Sequence, residues 1–492
     1  MLEKEKSKIH IPEIPYPIQP PVEEPKRKKL IPSFISGLQD FAAGENYSSI
    51  FSYFWPEFIS ALMLTSFLNI CDALWIANLK STSTYATLNV TTNFIHFMIK
   101  VAEGLTIGSV VLCGQHNGLT NYKTAGRVLR DVFWINVLVG SLFAAILFFG
   151  AHHIYAMYGV PEKMIALGTP YLRVQAVRVF FMFIYLSLIG FLRGIKNTKV
   201  PMQIFIIGGM IFLFFDYTLI HGAFGFPALR LQGSALASVI QYAMMSLLTF
   251  AYLRFNNEIQ RYEINFLQGI SNWHNIKHII LLSLPTILDK AALAASYIWL
   301  GSLITSMGKY AIASFGVIKE LERLALIPAV AFAQVITFLV SNAYGIQDWH
   351  GIKSNIKKIL FLASTMVLTV LALFSFNAHH IIPFFDHKTK FTEFSAGVLP
   401  YLSLLAFFDV LQLILSGALR GASNVKTVMT VRLGTIFGLF LPLSYLLSKL
   451  PVEDATLKFF LIYGSFYLTN AIMSVIYIYH LRGERWKGKM IG

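Results

Sequence analysis

Residues 190–202 read GFLRGIKNTKVPM and residues 417–429 read GALRGASNVKTVM, so that Arg420 follows Arg193 by 227 positions. The same interval separates CGQHNG, ending at Gly118, from SNAYG, ending at Gly345, and the AHHI that begins at Ala151 from the one that begins at Ala378. PYL recurs at Pro170 and Pro400, and Pro56, opening the first apolar stretch, has a counterpart in Pro285. One spacing kept across the whole chain marks two copies of a single unit.

Composition says what the unit is made of. The 492 residues are 55% hydrophobic and 13% charged, against roughly 45–50% apolar and about 25% charged in soluble domains. Apolar stretches long enough to cross about 30 Å of hydrocarbon as helices fall near 51–78, 86–112, 131–152, 168–191, 200–221, 233–254, 277–304, 311–340, 357–377, 396–417, 427–448 and 456–481. The expectation is an all-α polytopic membrane protein of about twelve transmembrane helices in two pseudo-symmetric six-helix bundles. Because six is even, both copies enter the membrane in the same direction and are parallel repeats, an arrangement suited to alternating access.

The formal charge of +15 does not point to nucleic acid, because Lys and Arg sit between the apolar segments rather than in one basic domain. Alternate loops carry about nineteen of them against about eight in the other set, which makes the richer set and both termini cytoplasmic. The expected location is the cell membrane, multi-pass, with the lipid bilayer as the chief partner and a monomer as the working unit. The expected divisions are a cytoplasmic tail at 1–48, a first lobe at 49–255, a linker at 256–276, a second lobe at 277–482 and a basic tail at 483–492. The first 29 residues are polar and proline-rich and read as disordered. Residues 30–44 read either as an interfacial amphipathic helix or as an irregular linker. No signal peptide is expected, since the first apolar span starts only near Ile50. Cys71 and Cys113 are the only cysteines, too few for a disulfide framework or a cysteine metal site. No HExxH, P-loop, GxSxG or dinucleotide fingerprint is present, which argues against an enzyme and against a resident cofactor.

The fourth span followed by Leu192, Arg193, Gly194, Thr198 and Pro201, its echo at Leu419–Gly421, the polar-Gly ends of spans 2 and 8 and the paired helix-opening prolines together resemble the multidrug and toxic compound extrusion (MATE) transporters. The likeness runs from about Ser49 to Arg482. It implies two six-helix lobes, a central cavity open to each side in turn, and export of small organic, often cationic, compounds driven by Na⁺ or H⁺. A flippase for lipid-linked saccharides, from the wider superfamily with the same core, is the alternative.

A carboxylate inside the membrane is costly and usually faces a cavity. Asp72 in span 1 and Asp216 in span 5 are two such groups. They match the family's first-lobe cation site, where the resemblance implies that they bind the coupling ion. Two carboxylates facing one poorly hydrated pocket compete to share a proton, or supply oxygens to Na⁺. Ser234 is the candidate for the family's hydroxyl in span 6, whereas Phe212 stands where the family has an Asn, which removes a neutral Na⁺ ligand and favours protons. In the second lobe, Asp409 matches a carboxylate of one branch of the family, but Leu293 replaces that branch's span 7 Glu. Asp289 and Lys290 are adjacent, face different ways, and are expected to pair with other helices, Lys290 with Asp409 being one candidate.

Span 8 carries Lys319, Glu320, Glu322 and Arg323, and span 2 carries Lys100 and Glu103. The spacing of three predicts ion pairs Lys319–Glu322, Glu320–Arg323 and Lys100–Glu103 along one helix face. These groups, with Arg173 and Arg178 of span 4, read either as mutually neutralised or as a charged cavity wall that recognises a polar or anionic substrate. His152, His153, His379 and His380 read as interfacial anchors. The two LRG corners are expected to turn at Gly194 and Gly421, with Arg193 and Arg420 complementing the negative helix ends.

Overall fold

The computed structural model describes residues 43–63, 67–79, 81–157, 159–269, 273–385, 388–483 and 486–487. The readings of residues 1–42 therefore lie outside the described residues, as does most of the basic C-terminal tail. Span 1 is built of α1 (Tyr47–Leu62) and α2 (Leu68–Ala77), and spans 2 to 6 are α3 (Thr82–Gly118), α4 (Tyr122–Met157), α5 (Glu162–Gly194), α6 (Lys199–His221) and α7 (Leu231–Phe255). The second copy follows the same order: α8 (Trp273–Thr305), α9 (Lys309–Ala325), α10 (Ile327–Gly345), α11 (Trp349–Phe376), α12 (Thr389–Gly421), α13 (Val425–Thr435), α14 (Leu441–Lys449) and α15 (Ala455–Arg482). Among the described residues, 11 helical stretches are long and apolar enough to cross a membrane, and the protein is an all-α polytopic membrane protein.

Two expected spans are broken for a local reason. Span 8 divides into α9 and α10 at Leu326, because Pro328 has no N–H to continue the ladder. Span 11 passes from α13 to α14 through a π-helical stretch, Ile436–Phe440, just ahead of Pro442. Pro56 and Pro285, read from the sequence as helix-opening residues, lie inside α1 and α8 instead.

Buried apolar side chains gather into two main cores, one from each copy, but the first helix of each copy reaches across. Ile50 and Phe54 of α1 belong to the second copy's core, where Phe54 stacks on Phe332 at 4.1 Å between ring centroids. Ile276, Ile279 and Leu282 of α8 belong to the first copy's core.

The cores are clasped at the end where the basic loops lie. There α3 and α10 cross so closely that a Cβ on Gly118 would stand 2.1 Å from the carbonyl oxygen of Asn342, and one on Gly345 would stand 2.3 Å from that of Gln115. Asn342 is the counterpart of Gln115 at the 227-residue interval, so the contact is reciprocal. Asn342 Nδ2 donates to the Gly194 carbonyl at 2.7 Å and Gln115 Nε2 to Ser423 Oγ at 2.8 Å, each reaching the corner of the opposite copy. Asn117 Nδ2 also donates to Asn342 Oδ1 at 2.7 Å. CGQHNG and SNAYG are thus the two halves of a seal. Valine at Gly118 or Gly345 is expected to pry it open, at an overpacking cost of about 1–3 kcal/mol. Spin labels at Leu119 and Ile346, both exposed, read this directly as a longer inter-label distance; an unchanged distance counts against the seal.

The LRG corners work differently from the sequence expectation. Gly194 and Gly421 are helical, and the left-handed residues are Lys196 (φ 63°) and Ser423 (φ 61°). In both corners the chain ends in a Schellman motif: Asn197 N–H donates to Leu192 O and Asn424 N–H to Leu419 O, each at 2.8 Å. The glycines serve packing instead, since a Cβ on Gly194 would meet the Val110 carbonyl at 3.0 Å and one on Gly421 the Thr337 carbonyl at 2.5 Å.

Candidate ion-coupling site

Asp72 lies on α2, Asp216 on α6 and Ser234 on α7, and glycines let these three helices approach. A Cβ on Gly233 would sit 2.6 Å from the Leu219 carbonyl, which draws the start of α7 against the end of α6. Gly209 of α6 faces Leu68 of α2 at ordinary contact distance. Trp75 packs edge-on against Tyr217 at 5.8 Å and holds the two aspartate-bearing helices together. Ser234 Oγ donates to Asp72 Oδ1 at 2.7 Å. Asp216 is fully buried, and its two carboxylate oxygens accept no hydrogen bond among the described residues. The structure brings together the three residues that the sequence pattern grouped. Phe212, where an amide was missing from the pattern, is buried in the first core.

The second-lobe group does not assemble. Asp289 receives two guanidinium groups, Arg420 at 2.6 Å and Arg432, all three being buried. Lys290 pairs with Glu103 of α3, across the boundary between the copies, and not with Asp409. Asp409 accepts from Asn470 Nδ2 at 3.0 Å. Arg432 is therefore inside the bundle, because α13 begins at Val425 and carries it two turns inward. Arg193 likewise forms a two-pronged pair with Glu57 at 2.8 and 2.7 Å, so neither LRG arginine simply caps its helix end. Glu57 was not singled out by the sequence; its place immediately after Pro56 within an apolar span was the available signal.

Of the predicted pairs along one helix, Lys100–Glu103 forms at 3.1 Å and Glu320–Arg323 forms as well. Lys319–Glu322 does not. Glu322 turns inward and accepts from Tyr463 Oη at 2.5 Å, while the Lys319 ammonium lies 4.7 Å above the Tyr297 ring. Three positions along a helix leave two side chains about 60° apart, near enough to pair but free to part, and Lys319 and Glu322 are drawn to different neighbours once the bundle closes around them. Arg178 donates to Gln175 Oε1 at 3.1 Å and lies over the Tyr242 ring. Arg173 faces away from it, over Phe148 of α4. The paired histidines His152, His153, His379 and His380 are exposed at helix ends, each following a buried alanine. Among the described residues no group of three or more His, Cys, Asp and Glu is arranged to hold a metal.

Comparison with known proteins agrees with the two-copy fold. The family model MatE matches residues 58–218 and again 285–446, one match in each copy. The chain is 24% identical over 354 residues to the probable multidrug resistance protein YoeA of Bacillus subtilis, covering 71% of this chain and 76% of that protein. It is 24% identical over 382 residues to the probable multidrug resistance protein NorM of Rhizobium meliloti, covering 77% and 81%. Among solved structures, a mutant of the Vibrio cholerae MATE transporter VcmN superposes with a TM-score of 0.81 at 16% identity, covering 94% of this chain and 99% of that one. MATE in its bent conformation superposes with a TM-score of 0.81 at 17% identity, covering 92% and 97%. With both copies matched by the family model and the helices laid out in the same fold, the chain belongs to the MatE family: it is a membrane transporter of the multidrug and toxic compound extrusion (MATE) type.

Proposed function

We propose that the protein exports small organic compounds in exchange for H⁺ or Na⁺ by alternating access. It does so as a monomer in the cell membrane, with both termini cytoplasmic and with no resident cofactor. The observation that carries this reading is the Asp72–Ser234–Asp216 cluster: two carboxylates within the membrane, one of them buried with both oxygens unpartnered. A buried carboxylate without donors is a costly resident, and a proton or Na⁺ relieves that cost on binding. The cluster lies where α2, α6 and α7 meet, and α1, directly before α2, packs across onto the other copy's core. A change of charge in the cluster therefore acts on α1, a helix that bridges the two copies, which links ion binding to their movement against one another. The relatives named as multidrug resistance proteins support export rather than the flipping of lipid-linked saccharides.

The test is made in vesicles holding the purified protein, with a proton gradient and a sodium gradient imposed separately. Accumulation of a fluorescent organic compound against its own gradient under one of the two is the expected result. If nothing moves against its gradient under either, the exchange reading falls.

A further inference from the structure

The chain that leads into α1 is seated on one copy and reaches for the other. Lys358 of α11 is fully buried, and its ammonium donates to the carbonyl oxygens of Ala43 and Glu45 at 2.9 and 3.0 Å. The Glu45 N–H donates to Asn355 Oδ1 of the same helix at 2.8 Å. Gly44 between them has φ 66°, and a Cβ there would stand 2.5 Å from Asn355 Oδ1 and 2.8 Å from the Gly351 carbonyl oxygen, so glycine is what lets the backbone lie this close. A lysine is almost never fully buried unless its ammonium is bonded, which makes α11 a built seat for residues 43–45. Ile50 and Phe54 continue the attachment into the second copy's core.

The carboxylates of the same stretch point the other way. Glu45 pairs with Lys196 at 2.7 Å, and Glu57 with Arg193, so both grip the corner between α5 and α6 of the first copy. The inner pair is buried, whereas the side chains of Glu45 and Lys196 are 24% and 31% exposed and meet water. At the 227-residue interval the second corner has Ser423 in place of Lys196, and it accepts from Gln115 instead.

We propose that residues 43–57 are a clasp that holds the two copies together on the sealed side, and that Glu45–Lys196 is the end that parts first when this side opens. Lys358 is a positioning residue: it acts through the backbone that it seats, which aims the Glu45 carboxylate at the other copy. The inference deepens the alternating-access reading and names residues that set how readily one side opens. The half-exposed ion pair contributes little by itself, and the buried ammonium that holds two carbonyls contributes more.

The test reads opening without substrate or ion gradient. Ser341 is fully buried in the seal, 2.0 Å from where a Cβ on Gly114 would stand. Ser341→Cys, with Cys71 and Cys113 changed to alanine, places there a thiol that a maleimide reaches when the copies part. Where reclosing outpaces labelling, the rate follows the open population. Cys113, buried in the first copy's core, reports loosening of the fold itself when kept in a Cys71→Ala chain. In the purified full chain in nanodiscs, Lys358→Met is expected to speed labelling of the seal thiol about tenfold and Lys196→Gln about threefold, with Cys113 unchanged. Glu45→Lys should speed it as well, and Glu45→Lys combined with Lys196→Glu should return the rate toward that of the wild type. Unchanged seal labelling in Lys358→Met, equal acceleration of both thiols, or an exchanged pair that labels as fast as Glu45→Lys alone would each overturn the proposal. A failure of gradient-driven transport in vesicles with these rates as expected removes the exchange reading and leaves the clasp.

Discussion

Asp216→Asn and Asp72→Asn are each expected to reduce ion-driven efflux to background while leaving the protein folded. The two variants reach this result by different routes. In Asp72→Asn the amide oxygen still accepts from Ser234, so the bond between α2 and α7 survives while the exchangeable charge is gone. In Asp216→Asn a carboxylate with two unpartnered buried oxygens becomes a neutral amide, which is the cheaper group to bury. The thermal midpoint of Asp216→Asn should therefore equal or exceed that of the wild type even as transport disappears. A purely structural aspartate would show the opposite, a lower midpoint with transport retained in the surviving fraction. Gradient-driven uptake and thermal unfolding of the same preparations distinguish the two, and full activity of both single variants would sink the coupling role.

The second large effect lies at Asp289. Replacing it with leucine removes the carboxylate that Arg420 and Arg432 share and strands two buried guanidinium groups. Breaking a buried pair in this way costs about 3–5 kcal/mol, which should empty the monodisperse peak in size-exclusion chromatography. Removing the whole network is a different matter, because no charge is then left without a partner. The triple variant Asp289→Leu, Arg420→Met, Arg432→Met should recover much of the folded yield that the single variant loses. If the triple variant is as unstable as the single one, the three residues do something other than neutralise one another. The Glu57–Arg193 pair is the first copy's version of this device, with its carboxylate on α1 and its arginine at the end of α5.

Much of this architecture was legible in the chain itself. The 227-residue interval announced two copies, the apolar lengths announced helices in a membrane, and the spacing of three announced Lys100–Glu103 and Glu320–Arg323. These are properties of the repeat and of a single helix, whose geometry fixes which neighbours share a face. The grouping of Asp72, Asp216 and Ser234 was also read from the sequence, but through resemblance to a family rather than through spacing.

What only the tertiary structure decided is how the helices are rotated against one another. Lys290 finds Glu103 in the other copy, Asp289 finds two arginines, and Glu322 turns from Lys319 to Tyr463. A step of one residue turns a side chain by about 100° around its helix, so a pair between helices depends on axial rotation that no single helix encodes. The corners show the same division. Their sequences identified the place where the chain turns, yet Gly194 and Gly421 are glycines because a neighbouring backbone passes within 3.0 and 2.5 Å of where a Cβ would be, a constraint that exists only once the bundles have packed.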